Sequence, residues 1–205
     1  MAAREIGIFS LPVAIAPGEL LPLHVFEERY KTLIGDCLRD DSPFLLLFKD
    51  EQGARELGCT ARVIEVLARH DDGRMEIVVE GEELLRVVEL TRGQAYSTAL
   101  VEPVDDDLAA ERERDAALEL YRAFAEGSGM DTRDDHIQEL DSPLSYAILA
   151  RIDVPPAEKQ NVLELRSERE RLMAVTELLA RGLQGLKQMG EIRARAQTNG
   201  RVPLG

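Results

Sequence analysis

A single switch of period divides this chain. Up to Pro103 the apolar residues alternate or run in short blocks punctuated by Gly and Pro; beyond Asp105-Asp106-Asp107 they recur every three to four residues. A period near two builds strands and a period near 3.6 builds helices. The 205 residues therefore divide into a β part, residues 1–104, and a helical part, residues 105–198, with residues 199–205 expected as a disordered tail. The charge shifts at the same place. Residues 1–104 carry 11 basic and 19 acidic side chains, residues 105–141 carry 4 and 13, and residues 142–205 carry 10 and 7.

In the β part, Ile6 to Leu11 reads as a first strand. Pro12, Pro17, Gly18 and Pro22 then mark an edge strand and turn, because proline has no backbone donor to give a central ladder. From Phe26 the spacing becomes helical, with Phe26, Tyr30, Leu33, Ile34, Cys37 and Leu38 on one face. That stripe places Phe26 and Tyr30 in the core. Asp40-Asp41-Ser42-Pro43 ends the helix, since a residue before proline avoids the α region. Phe44 to Phe48 is continuously apolar and reads as a strand buried on both faces. Ala61 to Ala68 and Met75 to Val79 flank Asp71-Asp72-Gly73, a hairpin signal. Gly81 interrupts the next run and predicts a bulge or sharp bend. Leu84 to Leu90 and Ala95 to Val101 complete about six strands, a pattern that suits a small closed or partly closed barrel.

In the helical part, Leu108 to Ala125 forms one helix, with Ala110, Ala117, Tyr121 and Phe124 inward and Gly127-Ser128-Gly129 as its stop. Ser142-Pro143 predicts an N-cap and an N1 proline. Leu144, Ile148 and Ile152 form the stripe of that helix. Pro155-Pro156 starts a third helix. Ser167 to Glu170 is a capping box for a fourth, whose stripe is Leu172, Val175, Leu179, Leu186 and Met189.

The net charge of −14 repels phosphate backbones and anionic membranes. No apolar run approaches the ~20 residues of a bilayer span, and no secretory signal precedes the first strand. Cys37 and Cys59 are too few for a disulfide framework or a four-cysteine zinc site; both read as buried, reduced thiols in a cytoplasmic protein. The sequence has no phosphate-binding loop, dinucleotide fingerprint or nucleophile elbow. His24, His70 and His136 lie far apart. His24 reads as a partly buried histidine at a strand-to-helix junction, His70 as solvated, and His136 as part of an acidic loop. The run Asp105 to Asp107 with Glu111, Glu113 and Asp115 lacks the ligand spacing of a calcium loop and reads as an acidic cluster stabilising a helix N-terminus. No metal, cofactor or catalytic residue is expected.

Residues 11–30 add a resemblance. Leu11-Pro12, Pro17-Gly18 and Leu21-Pro22-Leu23-His24-Val25-Phe26-Glu27-Glu28-Arg29-Tyr30 resemble the opening of the N-terminal, substrate-binding domain of the Lon protease family. Gly58 to Val63, Asp72-Gly73, Val78 to Gly81 with Arg86, and Glu158 to Glu164 followed by Arg171-Leu172 continue it in order. The resemblance spans about residues 6–190. It implies an α+β fold: an N-terminal PUA-like β pseudo-barrel with one inserted helix, then a C-terminal helical bundle. Lon proteases continue into ATPase and Ser-Lys peptidase domains. This sequence stops at Gly205 without either, and so resembles the stand-alone bacterial Lon-substrate-binding-domain proteins.

The resemblance implies a non-catalytic polypeptide-binding module: an adaptor, regulator or substrate-recognition factor. Its partners would be polypeptide clients or a full-length Lon protease. Neither nucleic acid nor membrane is expected as a partner, and the chain is expected as a monomer or weak homodimer. The candidate polypeptide-binding residues are Pro17, Leu20, His24, Phe26 and Tyr30. Glu27 and Arg29 read as a solvated face or a local ion pair. Two alternatives stand beside this. One is an RNA-binding PUA-like protein, for which Arg166, Arg169, Arg171, Arg181, Lys187, Arg193 and Arg195 are the basic supply. The other is an unrecognised enzyme with a site between barrel and helices.

Overall fold

A computed structural model of the chain describes residues 4–92, 95–104, 106–107, 110–131, 137 and 142–199, with backbone alone for Arg92 and residues 193–199. The alternating and block-apolar segments form strands Arg4–Leu11 (β1), Leu20–Val25 (β2), Phe44–Asp50 (β3), Gly53–Ala54 (β4), Leu57–Arg69 (β5), Met75–Arg92 (β6) and Ser97–Pro103 (β7). The helices are Glu28–Asp40 (α1), Glu111–Ser128 (α2), Leu144–Leu149 (α3), Pro156–Leu163 (α4) and Glu168–Asn199 (α5). A mostly antiparallel sheet with a C-terminal helical part is an α+β fold, as expected. Residues 200–205 of the expected tail, His136, Asp105 and Leu108 lie outside the described residues.

The sheet closes on itself. Neighbours run β1, β7, β6, β5, β3, and β3 pairs back to β1 in parallel, from Ile8 opposite Leu45 to Leu11 opposite Phe48. A parallel pair needs a crossover, which β2 and α1 supply. Alternate side chains of β3 point to opposite faces, and both faces are covered, so the strand serves two cores. Phe44 and Leu46 pack with Tyr30, Leu33 and Ile34 of α1. Leu45 and Leu47 pack with Ile6, Ile8, Leu85, Ala99 and Val101.

Gly81 does not separate two strands, because β6 runs unbroken through it. The ladder to β5 slips there, between Cys59 and Ala61. The glycine is needed because a Cβ would stand 2.3 Å from the Ala16 carbonyl oxygen. The Gly18 N–H donates to the Gly81 carbonyl at 2.8 Å, and the Gly81 N–H donates to that of Glu19 at 3.0 Å.

Several boundaries differ from expectation. Phe26 is 58% exposed, not core. The backbone at Glu27 is still extended and α1 begins at Glu28, so Phe26 continues the outward row of β2. The second helix runs through Gly127 and Ser128, and Gly129 caps it with φ 74°. Pro143 is itself the N-cap of α3, since its carbonyl accepts the Tyr146 and Ala147 N–H groups. Ser167 makes half a capping box: its Oγ accepts the Glu170 N–H at 3.3 Å, and its hydroxyl donates to the Glu170 carboxylate. On α5, Leu172, Val175 and Leu179 are buried, but Met189 is 55% exposed, so the stripe ends before it.

Helices and barrel share one core. Ala14, Ala16, Phe48 and Leu57 cluster with Leu144, Ile148, Leu163, Leu172 and Val175. Two polar ties cross the same boundary. The Lys159 Nζ donates to Glu19 Oε1 at 2.5 Å, and the Gln160 Nε2 donates to the Leu57 carbonyl at 3.0 Å.

Of the acidic cluster, Glu111 and Glu113 stand in the first turn of α2, as expected, but Asp106 faces a buried cation instead. The Arg171 Nη2 lies 2.5 Å from Asp106 Oδ2 and 3.1 Å from Glu168 Oε2. Its Nε donates to Ser145 Oγ and its Nη1 to the Leu165 carbonyl. The guanidinium also lies over the Tyr146 ring, 4.5 Å from its centroid. Ser145 in turn gives its N–H and its hydroxyl to Glu168.

Arg171→Met strands two carboxylates, a loss of about 3–5 kcal/mol for a broken buried pair. The urea midpoint of this variant is expected to fall sharply, and that of Arg181→Met, which removes an exposed pair with Glu158, to hold; equal midpoints for the two would contradict the account. Burial raises the pKa of Cys37 and, far more, of Cys59. The thiolate is the reactive form, so a higher pKa leaves less of it at any given pH. At pH 8 the native protein is expected to react with a thiol reagent much more slowly than the urea-unfolded chain, Cys59 slowest, as followed by mass spectrometry.

Candidate functional site

The candidate segment starts from a turn. In Ala16-Pro17-Gly18-Glu19 the Glu19 N–H donates to the Ala16 carbonyl at 3.0 Å, and Gly18 has φ 77°. Proline followed by a positive-φ glycine makes a type II turn. The Glu19 carboxylate accepts the Ala16 N–H at 2.9 Å, and Pro17 is buried.

The turn launches β2 along β6, with Leu20 opposite Glu80, Pro22 opposite Val78 and His24 opposite Glu76. Leu23 and Val25 point inward and are buried; Leu20, Pro22 and His24 point outward. Leu20 is 58% exposed, as is Phe26. Phe26 stacks on the His24 ring with centroids 5.6 Å apart. His24 Nδ1 is 2.5 Å from Glu76 Oε1, so the ring is exposed and fixed on both sides. Among the described residues no strand lies on the other edge of β2. Pro22 sits where proline is tolerated, on an edge.

Tyr30 is buried on α1. Its hydroxyl donates to the Ser10 carbonyl at 3.1 Å, and its ring packs 3.9 Å from that of Phe9, centroid to centroid. Burial raises its pKa, against the Ser10 hydrogen bond. The structure thus brings Leu20, His24 and Phe26 to one face and puts Pro17 and Tyr30 inside. Glu27 and Arg29 form an exposed pair at 2.7 Å, as expected.

The outward face continues over β6 to β5, where sequence reasoning missed two residues. The β5 ladder slips between Val63 and Glu65 and again between Val66 and Ala68. Each slip inserts an extra residue, Ile64 and then Leu67, exposed by 47% and 56%. A bulge re-aims side chains, and the signal was present: apolar pairs at 63–64 and 66–67 break strict alternation. The face therefore carries Leu20, Phe26, Val78, Ile64 and Leu67 among the acids Glu65, Glu76 and Glu80. It has no arrangement of a nucleophile with a base. Among the described residues no three His, Cys, Asp or Glu side chains gather as a metal site needs, and no helix is long and apolar enough to cross a membrane.

Comparison with known proteins agrees with this architecture. The profile of the ATP-dependent protease La (LON) substrate-binding domain matches residues 5–181. The chain is 32% identical over 200 residues to Lon protease 2 of Myxococcus xanthus, covering 86% of this chain and 23% of the relative. It is 30% identical to Lon protease of Anaeromyxobacter dehalogenans over the same shares. It thus spans about a quarter of the length of these relatives. Among solved structures, the N-terminal domain of Mycobacterium avium complex Lon protease aligns with TM-score 0.70 at 17% identity, over 86% of this chain and 98% of that one. A Lon N-terminal domain protein from Xanthomonas campestris aligns with TM-score 0.62 at 22% identity, over the same shares. The closed barrel, its appended edge strand and its shared core with the helices are therefore the fold of a known family, and the chain belongs to the LON substrate-binding domain family.

Proposed function

We propose that this chain is a non-catalytic module that binds extended, apolar-rich polypeptide, and that it acts in substrate recognition for proteolysis. The observation that carries the reading is the outward row of Leu20, His24 and Phe26 beside the edge of β2 that pairs with no strand among the described residues. An extended segment laid along such an edge gains main-chain hydrogen bonds from the strand and side-chain contact from the row. Large apolar side chains standing free on a face lower the free energy when a partner covers them. The matched part of the Lon relatives is their substrate-binding domain, which supports the same reading. Pro17 and Tyr30 hold the turn and helix behind the row.

Three of the seven basic residues named as the supply for RNA binding are already paired, which favours this reading. Arg169 pairs with Glu113, Arg171 with Asp106 and Glu168, and Arg181 with Glu158. The outward face of β2 and its neighbours is acidic, and acidic carboxylates repel phosphates.

Full burial of a Leu or Phe side chain is worth about 1.5–3 kcal/mol, or roughly 10- to 100-fold in Kd. In fluorescence anisotropy with an array of labelled twelve-residue peptides, apolar-rich sequences are expected to bind and polar ones not. Leu20→Glu and Phe26→Glu are each expected to weaken that binding about tenfold or more. Leu90→Glu, on another exposed stretch of β6, is expected to leave it unchanged. Equal affinity across all three variants, with circular dichroism intact, would remove this surface from the reading.

A further inference from the structure

Several guanidiniums of this acidic chain are already paired. Arg4 lies against Glu83, Arg29 against Glu27, Arg39 against Asp36 and Asp40, Arg62 against Glu82 and Asp41, and Arg74 against Asp72. Arg86 and Arg166 have no ion pair or hydrogen bond through their guanidinium groups among the described residues, and both line the same groove of about 440 Å³. Arg55 lines it too. One of its nitrogens reaches Asp50 at 3.2 Å, while its Nε is buried without a partner.

The backbone fixes the positions of these cations. Arg86 stands opposite Leu57 in the β5–β6 ladder. The Leu57 carbonyl accepts from Gln160, whose amide also holds Glu164 at 3.0 Å. The end of α4 is thereby pinned to the start of β5, which sets Arg166, two residues past Glu164, beside the groove. The Arg55 N–H donates to the Phe48 carbonyl at 2.9 Å and anchors the third wall.

A guanidinium is a planar fork that matches a carboxylate with two parallel hydrogen bonds. Glu56 and Glu164 also line the groove, so its charged walls sum to one positive charge. That balance suits a single carboxylate and disfavours di- or triphosphates. The volume falls in the range of ~300–1,000 Å³ typical of ligand clefts, more than a bare ion fills. We propose that this groove binds a carboxylate of a polypeptide segment, from a glutamate side chain or a free C-terminus. The groove is a second contact, apart from β2; the proposal rests on the polypeptide-binding reading only for the class of ligand.

The test uses the full chain at 0.15 M salt. The probe is a fluorescein-labelled six-residue peptide of glycine and glutamate with a free C-terminus. Its amidated form and its glutamine-for-glutamate form separate the two carboxylate sources. The acidic peptide is expected to bind, and Arg86→Gln with Arg166→Gln to weaken it at least tenfold, with apolar-peptide binding unchanged. Arg166 is exposed in the turn before α5, so Arg166→Gln alone tests the groove without disturbing the barrel. No binding of the acidic peptide, binding indifferent to Arg166→Gln, or displacement by an equal concentration of inorganic phosphate overturns the proposal. Acidic-peptide binding that follows the arginines while no apolar peptide binds upholds the groove and removes the role of β2.

Discussion

The helical part is organised around one buried cation. Arg171 is 1% exposed, and a charge that deep is tolerated only when its donors are spent on well-placed acceptors. Those acceptors come from four places along the chain: Asp106 after β7, Ser145 on α3, Leu165 before α5, and Glu168 on α5 itself. A single guanidinium thus fixes where the chain leaves the barrel and how two helices meet. The Asp107 carbonyl, accepting the Glu168 N–H at 2.9 Å, extends the same junction through the backbone. An apolar residue at position 171 would fill the space but would not select among alternative placements of the linker.

The barrel and its surface follow from the second constraint, which is steric. The Ala16 carbonyl and the β6 backbone approach too closely for any residue but glycine at position 81. Given that approach, the Pro17-Gly18 turn lies against β6, and β2 leaves it along the same strand. Glu19 then uses its carboxylate twice, on the Ala16 N–H and on Lys159. The turn that sets the direction of β2 is therefore also tied to α4, so the exposed row is carried by elements fixed from both parts.

Much of the fold was legible because period and punctuation speak directly to backbone geometry. The Asp72-Gly73 hairpin, the doubly buried Phe44 to Phe48 run and the Pro156 helix start were read from local residues; the strand pattern suited a closed or partly closed barrel, and the pairing of β1 with β3 closes it. Phe26 was misplaced because its spacing to Tyr30 fits a helix as well as a strand end; only the extended backbone at Glu27 decides. Asp106 looked like helix-dipole acid because its partner, Arg171, lies far along the chain. Ion pairs between distant residues leave no local periodicity. The face of the candidate site was half legible: alternation along β2 shows Leu20 and His24 on one side. Ile64 and Leu67 needed the bulges, and the arginine groove needed the tertiary fold to bring Arg55, Arg86 and Arg166 together.

The parallel pairing of β1 with β3 has a consequence for the order of folding. The first strand completes two interfaces at once, with β3 in parallel and with β7 through Ile6 opposite Ala99. The hairpin of β5 and β6 is local, and hairpins of that kind form in about 1–10 μs. Ring closure must instead bring together strands from the two ends of the β part, and non-local pairings of this sort slow folding. On the ribosome the first strand therefore waits for the last, held meanwhile by α1 and β3. The barrel becomes a ring only when β7 has emerged, and Asp106, just behind it, must wait a further 65 residues for Arg171.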